Sequence, residues 1–291
     1  MPGDRTTPST SLQRTYRYLR LAIAGAVVVV FTAVGVAMPA VGILPSLSHY
    51  YYTSANTMFV GALLTVSVCF FALSGRGVER ALLDAAAVVA PLVAIVPTVI
   101  APGSVPGISE GCPDGAEVCI PVAFDAGVDN GVVTYLVVAS VVVVIALALL
   151  AAGEVERAGT ALSLGVAVVV LAAVWLTWWL ARDAFLRWAH VAAAVGFFAL
   201  IGAVAVVNAI APEVRSGPPW LRASYVAIAV ALALVVVGMP LYGSLHVRAP
   251  GGDVYGVFVG EVLALLLFAA FWVLQSVQYW RADDPAIIAR G

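Results

Sequence analysis

Four side chains in this sequence have the chemistry of an acid–base or metal site: Glu261, His49, His190 and His246. Three imidazoles and one carboxylate form a donor set that suits zinc, which activates water for hydrolysis. The histidines are scattered, and no helix carries an H-x-x-x-H or H-E-x-x-H pair. The first interpretation is therefore a chain without metal or other cofactor. A metal-dependent intramembrane hydrolase is kept as an alternative.

The stretch LPSLSHYYYTSAN, residues 44–56, places more polar side chains around His49. Tyrosine rings favour the headgroup level of a bilayer, so an interfacial aromatic belt explains this stretch as well as a binding site does. If it forms a site, the candidate pocket residues are Ser46, Ser48, His49, Tyr50, Tyr51, Tyr52, His190 and Glu261.

The elements that must position these residues are membrane helices. Of the 291 residues, 63% are hydrophobic and only 10% are charged, and mean hydropathy is +1.06. That charge content is too small to cover a soluble domain of this size. Uninterrupted apolar runs of ~20 residues, the length that crosses a bilayer, recur along the chain, and they lack the alternation of barrel strands. The sequence predicts an all-α, polytopic transmembrane bundle, with no nucleic-acid partner because the net charge is −2.

Eight spans account for the apolar runs, and an even number places both termini on one side. With that side cytoplasmic, only Arg182, Arg187 and Arg248 of the 14 basic residues fall outside, which satisfies the positive-inside rule. We expect a multi-pass protein of the cell membrane. The predicted spans are residues 21–44, 57–73, 81–101, 131–152, 160–181, 188–210, 223–245 and 254–279.

The predicted domain organisation is simple. Residues 1–19 form a polar N-terminal tail, residues 20–280 the transmembrane domain and residues 281–291 a C-terminal tail. The long outer loop, residues 102–130, carries Cys112 and Cys119. Two cysteines seven apart in an extracytoplasmic, Gly/Pro-rich loop predict a local disulfide, and two thiols without a nearby histidine are a poor zinc set.

Tryptophans are expected in the two aromatic belts where the bilayer meets water. Four lie near the outer ends of predicted spans, and two lie toward the inner end of the last span. The six are Trp175, Trp178, Trp179, Trp188, Trp272 and Trp280.

Glu261 is the acid that lipid would tolerate least. It lies ~10 Å into the last span at 1.5 Å per residue, so it is expected to face the bundle interior and find a hydrogen-bond donor. Helix breakers such as Pro45, Pro97 and Pro240 fall at the same depth, and backbone groups freed there need a protein interior or a watered cavity. An outward-facing polar pocket and an ordinary kinked bundle both explain this pattern.

The stretch SLSHYYYTSANTMFVGALL, residues 46–64, resembles a motif of uncharacterised bacterial and archaeal multi-pass membrane proteins. Their pattern is Ser-x-Ser-x-Tyr-Tyr-Tyr-Thr followed by Phe-Val-Gly-x-Leu. Residues 187–200 and 257–272, which contain His190 and Glu261, are similar to two later helices of that family. The resemblance covers about six of the eight spans, leaves the fourth and fifth as an extra hairpin, and implies no particular activity.

Three functions remain open at this point. The first is a non-enzymatic membrane protein that binds or moves a small or lipidic ligand through an outward-facing polar pocket. The second is the metal-dependent hydrolase, and the third is an accessory or scaffold subunit. P-loop, dinucleotide-binding and nucleophile-elbow motifs are absent from the sequence, which disfavours catalysis of the kinds that soluble enzymes perform.

Overall fold

The computed structural model describes residues 10–73, 77–155, 157–246 and 255–280, and every regular element among them is helical. The predicted N-terminal and C-terminal tails fall largely outside these residues. The helices are α1 (Ser11–Val41), α2 (Asn56–Ala72), α3 (Gly77–Ile95), α4 (Val122–Ala152), α5 (Arg157–Leu180), α6 (Arg182–Ile210), α7 (Pro212–Ser216), α8 (Pro219–His246) and α9 (Gly256–Gln278).

Six of the described helices are long and apolar enough to cross a membrane: α1, α4, α5, α6, α8 and α9. The chain is therefore an integral membrane protein. Helix α2 has only 17 residues, and α3 contains the charged residues Glu79, Arg80 and Asp84. Both occupy the positions of predicted spans, so the total of eight spans and the side of the termini stay predictions.

The packing places α3 near the centre of the bundle. It contacts α2, α4, α5 and α6, while α1 packs on α2 and α9, and α8 packs on α6 and α9. At Gly260 the approach of α9 to α8 is close, because a Cβ there would lie 2.6 Å from Met239 Cγ. A continuous hydrophobic core joins α1, α2, α3, α6, α8 and α9.

Two breaks in the helices create the polar region. Helix α1 tolerates Pro39 but stops at Gly42, whose φ of 77° is in the region that favours glycine. Helix α3 ends at Ile95, short of the predicted limit of its span at residue 101. The residue before a proline is disfavoured in helical conformation, so Pro97 explains why Val96 leaves the helix.

The connection between α3 and α4 is held by covalent and backbone contacts. Cys112 and Cys119 form a disulfide with Cα atoms 5.6 Å apart, and Ile100 and Cys119 exchange backbone hydrogen bonds of 2.9 and 3.0 Å. Helix α4 begins at Val122, so the final residues assigned to the loop from sequence are helical.

The tryptophans divide between surface and interior. Trp175, Trp179 and Trp188 are exposed, as belt residues would be. Trp272 is fully buried against Phe70 and Phe271, so its assignment to a belt was wrong. Its position follows from helix packing: it lies on the face of α9 that meets the core.

Candidate functional site

A 3₁₀ helix, Leu47–Tyr52, links α1 to α2 and organises the candidate site. Its N-cap is Ser46, whose Oγ accepts a hydrogen bond from the backbone N–H of His49 at 3.2 Å. The same Oγ lies 2.6 Å from His49 Nδ1. The turn therefore fixes both the backbone and the imidazole of His49.

Glu261 reaches this 3₁₀ helix from α9. Its Oε2 accepts hydrogen bonds from the backbone N–H groups of Leu47 and Ser48, and the Ser48 hydroxyl lies 2.8 Å from its Oε1. The sequence predicts that Glu261 faces the interior, and its partners there are two backbone donors and the hydroxyls of Ser48 and Ser46. These contacts also join α9 to a segment more than 200 residues earlier in the chain.

His190 completes the cluster from α6. Its Nδ1 lies 2.8 Å from the Val96 carbonyl oxygen, and its Nε2 lies 3.0 Å from Ser48 Oγ. A carbonyl only accepts, so Nδ1 carries a hydrogen and Nε2 faces the hydroxyl. Because α3 ends at Ile95, ahead of Pro97, the Val96 carbonyl is available to orient His190. We call Glu261, Ser48 and His190 the outer triad, after the side of the membrane on which the arginine distribution predicts them to lie.

A cavity of about 770 Å³ opens beside the outer triad. Its wall comes from α1, α2, α3, α6, α8 and α9, together with residues of the 3₁₀ helix and the α3–α4 connection. We call the part of the wall formed by Ser46, Ser48, His49, His190 and Glu261 the polar end, and the other polar lining residues are Thr98, Ser104 and Tyr242. Most of the remaining wall is aliphatic or aromatic, including Phe59, Phe197 and Phe268.

Within this polar end, the accessible groups are Glu261 and His49. Both are half-buried, whereas Ser46, Ser48 and His190 are buried. Burial lowers the pKa of His49 to about 4, and the neighbouring His190 acts in the same direction. His49 is therefore neutral at pH 7 and can offer a hydrogen bond without a charge.

The three tyrosines have structural partners instead of facing the cavity. Tyr50 donates its hydroxyl to the Gly42 carbonyl at 2.8 Å, and Tyr52 donates to the Thr98 carbonyl at 2.6 Å. Tyr51 packs edge-to-face on Tyr52 with ring centroids 5.5 Å apart. These contacts stabilise the chain just after α1 and α3 end, and so hold the 3₁₀ helix that carries part of the polar end.

The candidate metal ligands whose side chains the structure describes, His49, His190 and Glu261, are not placed as one donor set. Both ring nitrogens of His190 already have hydrogen-bond partners. The side chain of His246 lies outside the described part of the chain. Among described residues, no group of three or more His, Cys, Asp or Glu side chains is placed to hold a metal ion.

A second polar cluster lies within the helices away from the outer triad, and sequence reasoning missed it. Asn208 donates to Glu79 Oε1 at 2.8 Å, and Gln275 donates to Asn208 Oδ1 at 2.9 Å. Arg20 is fully buried, with its guanidinium 5.1 Å from the ring centre of Tyr279. We call these residues the inner cluster. The sequence signal that could have predicted this cluster is the pair of amide side chains, Asn208 and Gln275, inside apolar spans.

Asp84 pairs with residues near it on α3 and α5. Its Oδ2 lies 3.5 Å from Arg80 Nε, one turn earlier, and accepts a 2.6 Å hydrogen bond from Ser163. The contact has the i, i+4 spacing of a helix-surface ion pair. Asp84 therefore has a structural role apart from the cavity.

Compared with protein families, with curated proteins and with solved structures, the chain matches none of them.

Proposed function

We propose that this integral membrane protein binds an amphipathic ligand in the cavity beside the outer triad. The apolar wall holds the ligand's body, and the polar end formed by Glu261 and His49 holds its head. The observation that carries this proposal is a cavity of about 770 Å³ in which a mostly apolar wall adjoins the hydrogen-bonded groups of the polar end. Ligand sites in proteins commonly combine an apolar lining with a few placed polar groups in this size range.

The proposed setting follows from the charge pattern of the sequence. The termini are cytoplasmic, the protein lies in the cell membrane, and the polar end of the cavity faces outward. The resemblance of residues 46–64 to a multi-pass family is consistent with this arrangement, because its motif contains Ser46 and Ser48. A zinc hydrolase is less well supported, since His190 would have to give up a hydrogen bond to bind a metal.

The binding test uses a variant that fills the cavity and a matched variant that does not. Ala194 on α6 lines the cavity, whereas Ala192, two residues earlier, is exposed and outside its wall. The probe is triphenylphosphine oxide, an uncharged molecule with an apolar body and one polar acceptor. Calorimetry compares protein in lipid nanodiscs with empty nanodiscs.

We expect saturable binding to the wild type and to Ala192→Trp. In Ala194→Trp we expect affinity to fall by about tenfold or more, because the indole occupies the ligand's space and each ~1.4 kcal/mol of lost contact is tenfold. Equal binding to all three proteins, or heat no greater than that of empty nanodiscs, would refute the proposed site.

A further inference from the structure

The number of protons that the outer triad holds follows from its hydrogen-bond acceptors. The Val96 carbonyl fixes one hydrogen on His190 Nδ1, which leaves Nε2 to share hydrogens with Ser48. Ser48 has a single hydroxyl hydrogen but two close partners, His190 Nε2 at 3.0 Å and Glu261 Oε1 at 2.8 Å. Satisfying both contacts requires one additional proton in the triad.

That proton can lie on either of two members of the triad, which gives two arrangements with the same net charge. In the first, it lies on His190 Nε2 and is donated to Ser48, whose hydroxyl donates to an ionised Glu261. In the second, Glu261 carries it and donates to Ser48, whose hydroxyl donates to neutral His190. The triad has zero net charge in both. Loss of the proton leaves a net charge of −1 and one contact without a hydrogen.

None of the described residues at the cavity wall carries a permanent positive charge that would compensate this negative charge. Besides Glu261 on α9, the titratable lining residues are His49 from the 3₁₀ helix, His190 from α6 and Tyr242 from α8. The described lining residues from α1, α2, α3 and the α3–α4 connection are uncharged, and the Tyr50 hydroxyl donates to Gly42. A carboxylate removed from water needs a positive partner, and here the shared proton supplies it.

We propose that the cavity exchanges this proton for a lipophilic organic cation. The cation's charged head takes the place of the proton beside Glu261, and its apolar body enters the cavity. One O–H or N–H bond in the triad is broken, and one proton leaves to water for each cation bound, so the charge within the cavity is unchanged. The inference rests on the proposed function and names its ligand class.

Glu261 is accessible for this exchange. It is half-buried and lines the cavity, where its hydrogen-bond partners are the backbone N–H groups of Leu47 and Ser48 and the hydroxyls of Ser46 and Ser48. Loss of the proton leaves one Ser48 contact without a hydrogen, which costs free energy. Attraction between the cation and the carboxylate offsets that cost. An anionic head would find no arginine among the described lining residues to pair with, and displacing the proton would add a second negative charge beside it.

The test uses two probes of nearly equal shape and opposite charge, tetraphenylphosphonium and tetraphenylborate. Binding to protein in nanodiscs is measured by calorimetry in two buffers with different ionisation enthalpies, which gives the number of protons released. We expect the phosphonium to bind with release of one proton and the borate not to bind. Because the phosphonium cannot titrate, its affinity should rise about tenfold per pH unit while the free triad holds its proton, and then level off.

Glu261→Gln removes the exchangeable charge, and the matched control is Glu79→Gln, which changes the buried carboxylate of the inner cluster. Glu261→Gln should lose phosphonium binding and proton release, and its thermal unfolding in detergent verifies that the variant is folded. Glu79→Gln should keep phosphonium binding, proton release and binding of uncharged triphenylphosphine oxide.

The outcomes separate this inference from the proposed function. Oxide binding together with phosphonium binding that releases no proton, or that persists unchanged in Glu261→Gln, would overturn the exchange and leave the cavity proposal standing. Failure of both the oxide and the phosphonium to bind wild-type protein would overturn both proposals, and binding of the borate as tight as that of the phosphonium would overturn the exchange. The wild-type comparison alone is decisive even if a variant fails to fold.

Discussion

The hydroxyl of Ser48 is the residue-scale centre of the site, because it contacts both other members of the outer triad. Ser48→Ala leaves His190 Nε2 and Glu261 Oε1 without that partner in a buried place. We expect a loss of about 1–3 kcal/mol in unfolding free energy, the usual cost of a buried unsatisfied polar group. Thermal unfolding in detergent measures it.

The matched control for this loss is Ser216→Ala. The Ser216 hydroxyl is exposed, and its acceptors are the Pro212 and Glu213 carbonyls within its own helix turn. Its removal should change stability by less than about 0.5 kcal/mol. Equal effects of the two substitutions would show that Ser48 does not hold the triad together.

A second prediction at the residue scale concerns His49, whose neutral imidazole makes the stability of the protein depend on pH. Its pKa is about 4 in the folded protein because of burial and the nearby His190, against an ordinary value of 6.5. As pH falls below ~6.5 the unfolded chain binds this proton and the folded chain does not, so stability is lost between ~6.5 and ~4.

The measurement is the shift in Tm between about pH 7 and about pH 5, compared in wild type and His49→Gln. Glu261 and His190 remain in both proteins, so the difference between the shifts reports His49. We expect the variant to lose less Tm on acidification. An equal or larger loss would mean that His49 is not kept neutral by the fold.

At the scale of elements, the end of α1 at Gly42 aims the 3₁₀ helix toward α9. A side chain is strained at its φ of 77°, although a Cβ there would meet nothing within 4 Å. We expect Gly42→Ala to destabilise by about 1–2 kcal/mol through the backbone alone. Thermal unfolding again gives the value.

Gly25→Ala provides the comparison within α1. That glycine has no positive φ, and a Cβ there also meets nothing within 4 Å. It should be neutral or stabilise by up to about 1 kcal/mol, since alanine favours helix interiors. Destabilisation at Gly25 as large as at Gly42 would contradict the role given to the break in α1.

Element order was largely predictable from sequence, whereas side-chain pairing was not. Apolar runs predicted the positions of the long helices, and the depth of Glu261 predicted that it would find donors in the interior. Which donors it found depends on a contact between residues more than 200 positions apart. The inner cluster was missed for the same reason, because Asn208 and Gln275 become informative only when α6 and α9 are packed together.

At the scale of the whole molecule, the orientation of the protein in the membrane determines from which side of the membrane a ligand enters the cavity. The predicted outer connection contains Ser109, which is exposed, and the predicted cytoplasmic side contains exposed Ser216. Cys69 is buried, and Cys112 and Cys119 are joined, so introduced cysteines can be labelled selectively.

A membrane-impermeant maleimide should label Ser109→Cys in intact cells and Ser216→Cys only after the cells are permeabilised. The arginine distribution predicts this result through the positive-inside rule. The reverse pattern would invert the topology and place the polar end of the cavity on the cytoplasmic side.

The most direct test of the central claim is photo-crosslinking with a long-chain alcohol that carries a diazirine, followed by mapping of the adducts. In wild-type protein we predict adducts on the cavity wall, in peptides containing Val195 or Leu265, and their loss in Ala194→Trp. Exposed α4 residues such as Val141 report contact with bulk lipid and should not respond to that substitution. Adducts confined to α4, or cavity adducts that persist unchanged in Ala194→Trp, would contradict an amphiphile-binding cavity.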